Sequence, residues 1–84
     1  MIIDVRTPAE YSAGHIESAI NVPVESIMAG ELGALAGAPK GAPIRLYCRS
    51  GARASYALPF LQAEGFTDVV NLGSLQDAAL AGSL

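Results

Sequence analysis

The chain has only one cysteine, Cys48. That rules out an internal disulfide, a CxxC redox pair and a cysteine-rich zinc site, and it fits a reducing compartment. Positive charge is also scarce, with five Lys and Arg against eight Asp and Glu, a net charge of −3 and a pI near 4.8. A nucleic-acid partner, which calls for a basic patch, is therefore not expected. No apolar run approaches the roughly 20 residues that span a bilayer, so no membrane partner is expected either. The first residues lack a basic stretch and a small-residue cleavage site. The expected location is the cytoplasm, or the periplasm if a leader has been removed. The acids Glu17, Glu25, Glu31, Glu64, Asp68 and Asp77 are scattered without metal spacing or a close pair for acid/base work, so no metal is predicted and solvated surface is their default.

What is present suggests one packed domain over residues 1–84. Hydrophobic residues make up 51% of the chain. At this length about 60–65% of the unfolded surface is buried, which supports a modest core. Met1 to Val5 is apolar on both alternating faces and reads as a short strand covered on both sides. Thr7, Pro8 and Glu10 combine an N-cap, a first-turn proline and a capping box, and Gly14 ends that helix. Ala19 to Val22 is a second strand stopped by Pro23. Val24 to Leu35 reads as a helix interrupted by Gly30 and Gly33. Ala29 to Pro43 is the only low-complexity stretch, and "GAPKGAP", residues 37 to 43, reads as a surface loop with nothing to pack. Ile44 to Tyr47 is a third strand. A helix from Ala52 to Glu64 follows, with Ala54, Ala57, Leu58 and Leu61 on its apolar face and Gly65 at its end. Pro59 inside it costs about 3 kcal/mol unless the helix kinks. Val69 to Leu72 is a fourth strand, and Leu75 to Leu80 a last helical turn or two. Strands alternating with helices predict an α/β fold, a parallel sheet flanked by helices on both faces.

The chemistry concentrates in "CRSGARA", residues 48 to 54. Ligands of open parallel sheets sit beyond the carboxyl ends of strands, where loops lead into helix N-termini. The turn from Cys48 to Ala52 offers backbone N–H groups without a strand or helix partner, and Gly51 supplies the permissive backbone. These amides and the helix dipole make an anion cradle that favours thiolate. Arg49 and Arg53 add two cations shaped to grip an oxyanion. A lone cysteine ending an apolar strand is most often a small buried hydrophobe. The surrounding turn, glycine, arginines and helix start shift the reading toward a nucleophile acting on an anionic substrate. For that reading the sulfur must reach the turn's amides and must not be sealed away, pointing into the sheet. His15 reads as a packed residue at a helix end rather than a partner of Cys48. Asp4 and Arg6 read as an ion pair or loop anchor beside the active face.

"DVRTPAEYSAGHIESAINVP" (residues 4 to 23), "CRSGARA" and "ALPFLQAEGFTDVVNLGSL" (57 to 75) together resemble rhodanese-homology domains. The likeness is greatest to small single-domain forms of the phage-shock-protein-E type. The resemblance implies a rhodanese-like parallel sheet and transfer of sulfane sulfur from thiosulfate, or a similar small anionic donor, to cyanide or a thiol. A persulfide on Cys48 would carry the sulfur, and a protein could be the acceptor. By the same resemblance Arg49 and Arg53 attract the dianion, Ser50, Gly51 and Ala52 shape the cradle, and Asp4 and Arg6 are structural. No cofactor is implied. The family usually has a strand and helix before "DVR", so one sheet edge is expected to be short or exposed. Gly73-Ser74 replaces the usual Gly-Gly pair, a small change.

Three rival readings remain. A cysteine phosphatase needs C-x5-R to encircle phosphate, whereas Cys48 to Arg53 is C-x4-R, a loop that better fits one sulfur atom. A regulatory binding module on this fold would not need Cys48 and both arginines. A persulfide carrier loaded by a desulfurase would use the same cysteine and the same turn.

Overall fold

The computed structural model describes residues 1–82. Four strands, β1 (Ile2–Asp4), β2 (Ile20–Asn21), β3 (Ile44–Cys48) and β4 (Val69–Ser74), form one parallel sheet in the order β2-β1-β3-β4. Four helices connect and cover them: α1 (Pro8–Ala13), α2 (Val24–Met28), α3 (Ala52–Ala63) and α4 (Leu75–Gly82). The crossover from β1 to β2 runs one way across the sheet and the next two run the other way. A common right-handed crossover then puts α1 on the face opposite α2 and α3. The two core clusters follow this division. Ile3, Val5, Ile44, Leu46 and Cys48 pack with Ile27, Leu35, Ala54, Ala57, Leu61 and Phe66. On the other face Tyr47 packs with Ala19, Tyr11, Ile16, Leu75 and Ala78. Period-two alternation along β3 therefore sends Cys48 and Tyr47 to opposite faces.

The helix starts read from the sequence are in place. Thr7 Oγ1 accepts the Glu10 N–H at 3.2 Å, while Glu10 Oε1 accepts the Thr7 N–H at 3.1 Å. Three segments differ from expectation. The helix expected over Val24 to Leu35 stops at Met28, because Gly30 (φ 79°) turns left-handed, and a separate 3₁₀ turn covers Gly33–Gly37. The loop at 37 to 43 does pack. Lys40 lies over the Phe66 ring, 4.2 Å from its centroid, and its carbonyl accepts the Thr67 N–H at 2.9 Å. The Lys40 ammonium over the ring face is attracted by the ring's negative quadrupole. Finally, β4 runs two residues beyond Leu72, because it carries a bulge opposite Cys48.

Pro59 is tolerated inside α3 without breaking it. Both Pro59 and Ser55, whose carbonyl loses its partner, are exposed, so water can take the missing bond. β2 at the sheet edge is two residues long. Among the described residues, no helix is long and apolar enough to cross a membrane.

Candidate active site

The sheet order reverses direction between β1 and β3, so the carboxyl ends of these two strands flank the topological switch point where α/β sheets hold ligands. Cys48 ends β3 there. Gly51, at φ 93°, turns the chain into α3, and an added Cβ would lie 3.1 Å from the Gly73 Cα. Only glycine meets both demands, the left-handed backbone and the close approach. The turn therefore curls back over its own cysteine, and the Gly51 N–H donates to Cys48 Sγ at 2.9 Å.

Burial pushes the Cys48 thiol pKa up, but amides of Ala54, Ser50, Gly51 and Arg53 donate to the sulfur and outweigh it. The net pKa lies below the ordinary thiol value of 9.0. Two of these donors, Arg53 and Ala54, belong to the first turn of α3, whose N–H groups have no partner within the helix. Ala52 is turned elsewhere, its N–H directed to Ser50 Oγ at 3.4 Å. The sulfur faces the amide ring rather than the strand, yet Cys48 has 0% of its surface exposed. The expectation of an unsealed sulfur is therefore not met in this conformation, and an external reactant reaches it only if the covering turn moves.

Asp4 and Arg6 form a buried pair behind the turn. Arg6 Nη2 lies 2.7 Å from Asp4 Oδ2, and the Arg6 N–H and Nε–H both donate to Asp4 Oδ1, at 2.9 and 3.0 Å. Arg6 also donates to the Gly14 carbonyl at 2.6 Å, which ties the end of β1 to the end of α1. The Asp4 bonds hold the Arg6 guanidinium above its ordinary pKa. The Tyr47 hydroxyl donates to Asp4 Oδ2 at 2.8 Å, and burial pushes its pKa to about 12.

The two arginines of the turn differ. Arg49 is exposed and lines a cleft of about 460 Å³ with Arg6, Glu10, Ala13, Leu75 and Gln76. Arg53 is held at both ends of its fork by Glu10, Nη1 to Oε1 at 2.6 Å and Nη2 to Oε2 at 3.0 Å. Glu10 thus serves two partners, its helix cap and Arg53. The Arg53 bond is the main reason that its carboxyl pKa falls to about 2. His15 stands apart. Its ring stacks on Tyr11 at 3.6 Å, it is exposed rather than packed in, and it lines a different groove, with Ile2, Ile16 and Leu75. Because a carbonyl only accepts, His15 Nδ1 must carry the proton that it shares with the Tyr11 carbonyl at 2.7 Å.

Asn71 is a residue that sequence reasoning missed. Its Nδ2 donates to the Gly51 carbonyl and to Ser55 Oγ, both at 3.0 Å, and its Oδ1 accepts the Gly73 N–H at 2.8 Å. It pins the cysteine turn to the bulge of β4. Ser74, read as a neutral replacement for glycine, caps α4 by accepting the Asp77 N–H at 3.1 Å. The S-x-x-D spacing before an apolar run was the signal available for that cap. Asn71 had none, since its partners become neighbours only when the strands pair.

The family profile described as "Rhodanese-like domain" matches residues 1–77. The chain is 36% identical over 78 residues to the thiosulfate sulfurtransferase PspE of Escherichia coli K12, covering 93% of this chain and 73% of that protein. A sulfurtransferase of Allochromatium vinosum is 36% identical over 72 residues, 86% of this chain and 64% of its own length. A solved structure described as "rhodanese with anions from E. coli" superposes with a TM-score of 0.79 at 36% identity, covering 90% of this chain and 87% of that one.

Proposed function

Because the chain belongs to the rhodanese-like domain family, we propose that it transfers sulfane sulfur through a persulfide on Cys48. Relatives named as sulfurtransferases support that class of reaction. The donor is thiosulfate or a similar small anion. The acceptor is cyanide or a thiol, protein thiols included. The observation that carries the reading is the ring of amides around Cys48 Sγ, closed by the Gly51 N–H at 2.9 Å.

In the first half-reaction the Cys48 thiolate attacks the outer sulfur of thiosulfate. A new S–S bond forms, the old one breaks, and sulfite leaves with its electron pair. The negative terminal sulfur of the persulfide then occupies the cradle that held the thiolate. Fixed amides stabilise it without reorganising, as in an oxyanion hole. An acceptor thiolate or cyanide next attacks that terminal sulfur, and the Cys48 thiolate departs. Arg49, exposed on the cleft wall next to Cys48 in the chain, draws the anionic donor toward the turn.

Intact-mass spectrometry after thiosulfate treatment tests this reading. The expected result is one added sulfur on Cys48, removed by cyanide or a reducing thiol. Cys48→Ser should take up none and lose transfer activity while keeping its circular dichroism. Equal turnover in that variant would end the proposal.

A further inference from the structure

The carboxyl end of the sheet holds more arginine than free positive charge. Of the three arginines there, Arg6 is matched by Asp4 in a buried pair, and Arg53 is matched by Glu10 at both ends of its fork. Arg49 has no hydrogen-bond or ion-pair partner among the described residues. Glu10 also forms part of the cleft wall beside Arg6 and Arg49, so an anion entering there meets a carboxylate as well as two guanidiniums. Beyond Arg53, in a smaller cleft with Val5 and Pro23, stands a further carboxylate, Glu25. The Cys48 thiolate adds its own negative charge. Arg49 is thus the one cation without a carboxylate partner, and the thiolate already offsets it, so each further negative charge on a donor goes unbalanced and a dianion is disfavoured more than a monoanion.

We infer that Glu10 determines donor specificity: by occupying Arg53 it tunes the cleft toward singly charged sulfane donors, such as thiosulfonates and small persulfides, over dianionic thiosulfate. This rests on the sulfur-transfer reading above. Both donor types follow one balanced step. With a thiosulfonate, the Cys48 thiolate attacks the terminal sulfur, the S–S bond to the sulfonyl group breaks, and a sulfinate leaves with the electron pair. One Cys48 persulfide forms in either case, and total charge is conserved.

Methanethiosulfonate and thiosulfate make a matched pair of probes, differing by a methyl group in place of one charged oxygen. A fixed charge acts on a ligand in proportion to the ligand's own charge, so removing the Glu10 carboxylate helps the dianion about twice as much, in free energy, as the monoanion. Glu10→Gln is the suitable change because glutamine also completes a capping box, which keeps α1 in place. With cyanide as acceptor, kcat/KM for thiosulfate should rise about three- to tenfold more in this variant than kcat/KM for methanethiosulfonate. Arg53→Gln, which strips Glu10 of its partner, should move the donor ratio the opposite way. A merely structural role for Glu10 would change both donors alike. An unchanged ratio in active variants, or a shift against thiosulfate in Glu10→Gln, overturns the inference alone. Wild-type protein that takes sulfur from neither donor overturns the sulfur-transfer reading and the inference with it.

Discussion

Cys48 illustrates how two opposed environments act on one atom. It ends an apolar strand and is fully covered, which alone would make it an inert hydrophobe. The amides of the turn reverse the outcome by donating to the sulfur, and its pKa falls below 9.0 despite burial. Two consequences can be measured together. Alkylation by iodoacetamide should titrate with a midpoint below the ordinary thiol value, yet run slower at full ionisation than for the unfolded chain, because the sulfur is covered. The linkage has a definite sign. A folded-state pKa below the unfolded one adds stability above the unfolded value, which is lost as pH falls through the folded value. The urea stability of wild type relative to Cys48→Ser should therefore rise with pH across that window. A midpoint at the ordinary thiol pKa would mean that the amides do not outweigh burial.

At the scale of elements, the site is a turn held against a neighbouring strand. Three residues of β4 span the interval that two cover on β3, since Leu46 pairs with Asn71 and Cys48 with Ser74. The extra residue is absorbed at Gly73, whose φ of 95° suits a bulge. Asn71 then bridges the bulge and the turn. Asn71→Ala removes these bonds at a half-buried position, and we expect a loss of about 1–2 kcal/mol in urea denaturation. Amide exchange at Gly51 and Gly73 should quicken more than exchange in β1. Unchanged exchange at Gly51 would show that the turn holds its shape without the clamp. The helix caps at Thr7 and Pro8 were legible because they depend on residues within four positions. The bulge was not, because register is decided between strands distant in sequence.

Across the whole molecule, Asp4 joins the two halves of the fold. It sits at the end of β1, accepts from Arg6, and receives the Tyr47 hydroxyl from β3 on the face covered by α1 and α4. For a chain of this size the total stability is about 4–13 kcal/mol. Asp4→Ala leaves Arg6 with a charge that is no longer matched, at a cost of about 3–5 kcal/mol. It should remove a large share of the total stability and lower the melting temperature strongly. Tyr47→Phe removes one hydrogen bond and should cost only about 1–2 kcal/mol. Thermal melts of the two variants measure the contrast, and equal melting temperatures would rule out a central role for the carboxylate.

The α/β alternation, the helix starts and the placing of Cys48 at a strand-to-helix turn were determined by the sequence itself. Each rests on periodicity, capping or turn chemistry between near neighbours in the chain. Only the tertiary structure decided that Glu10 holds Arg53, that Asn71 pins Gly51 and that Lys40 covers Phe66. These contacts join residues brought together by strand pairing and crossover hand, and neither is encoded in any short stretch of the chain.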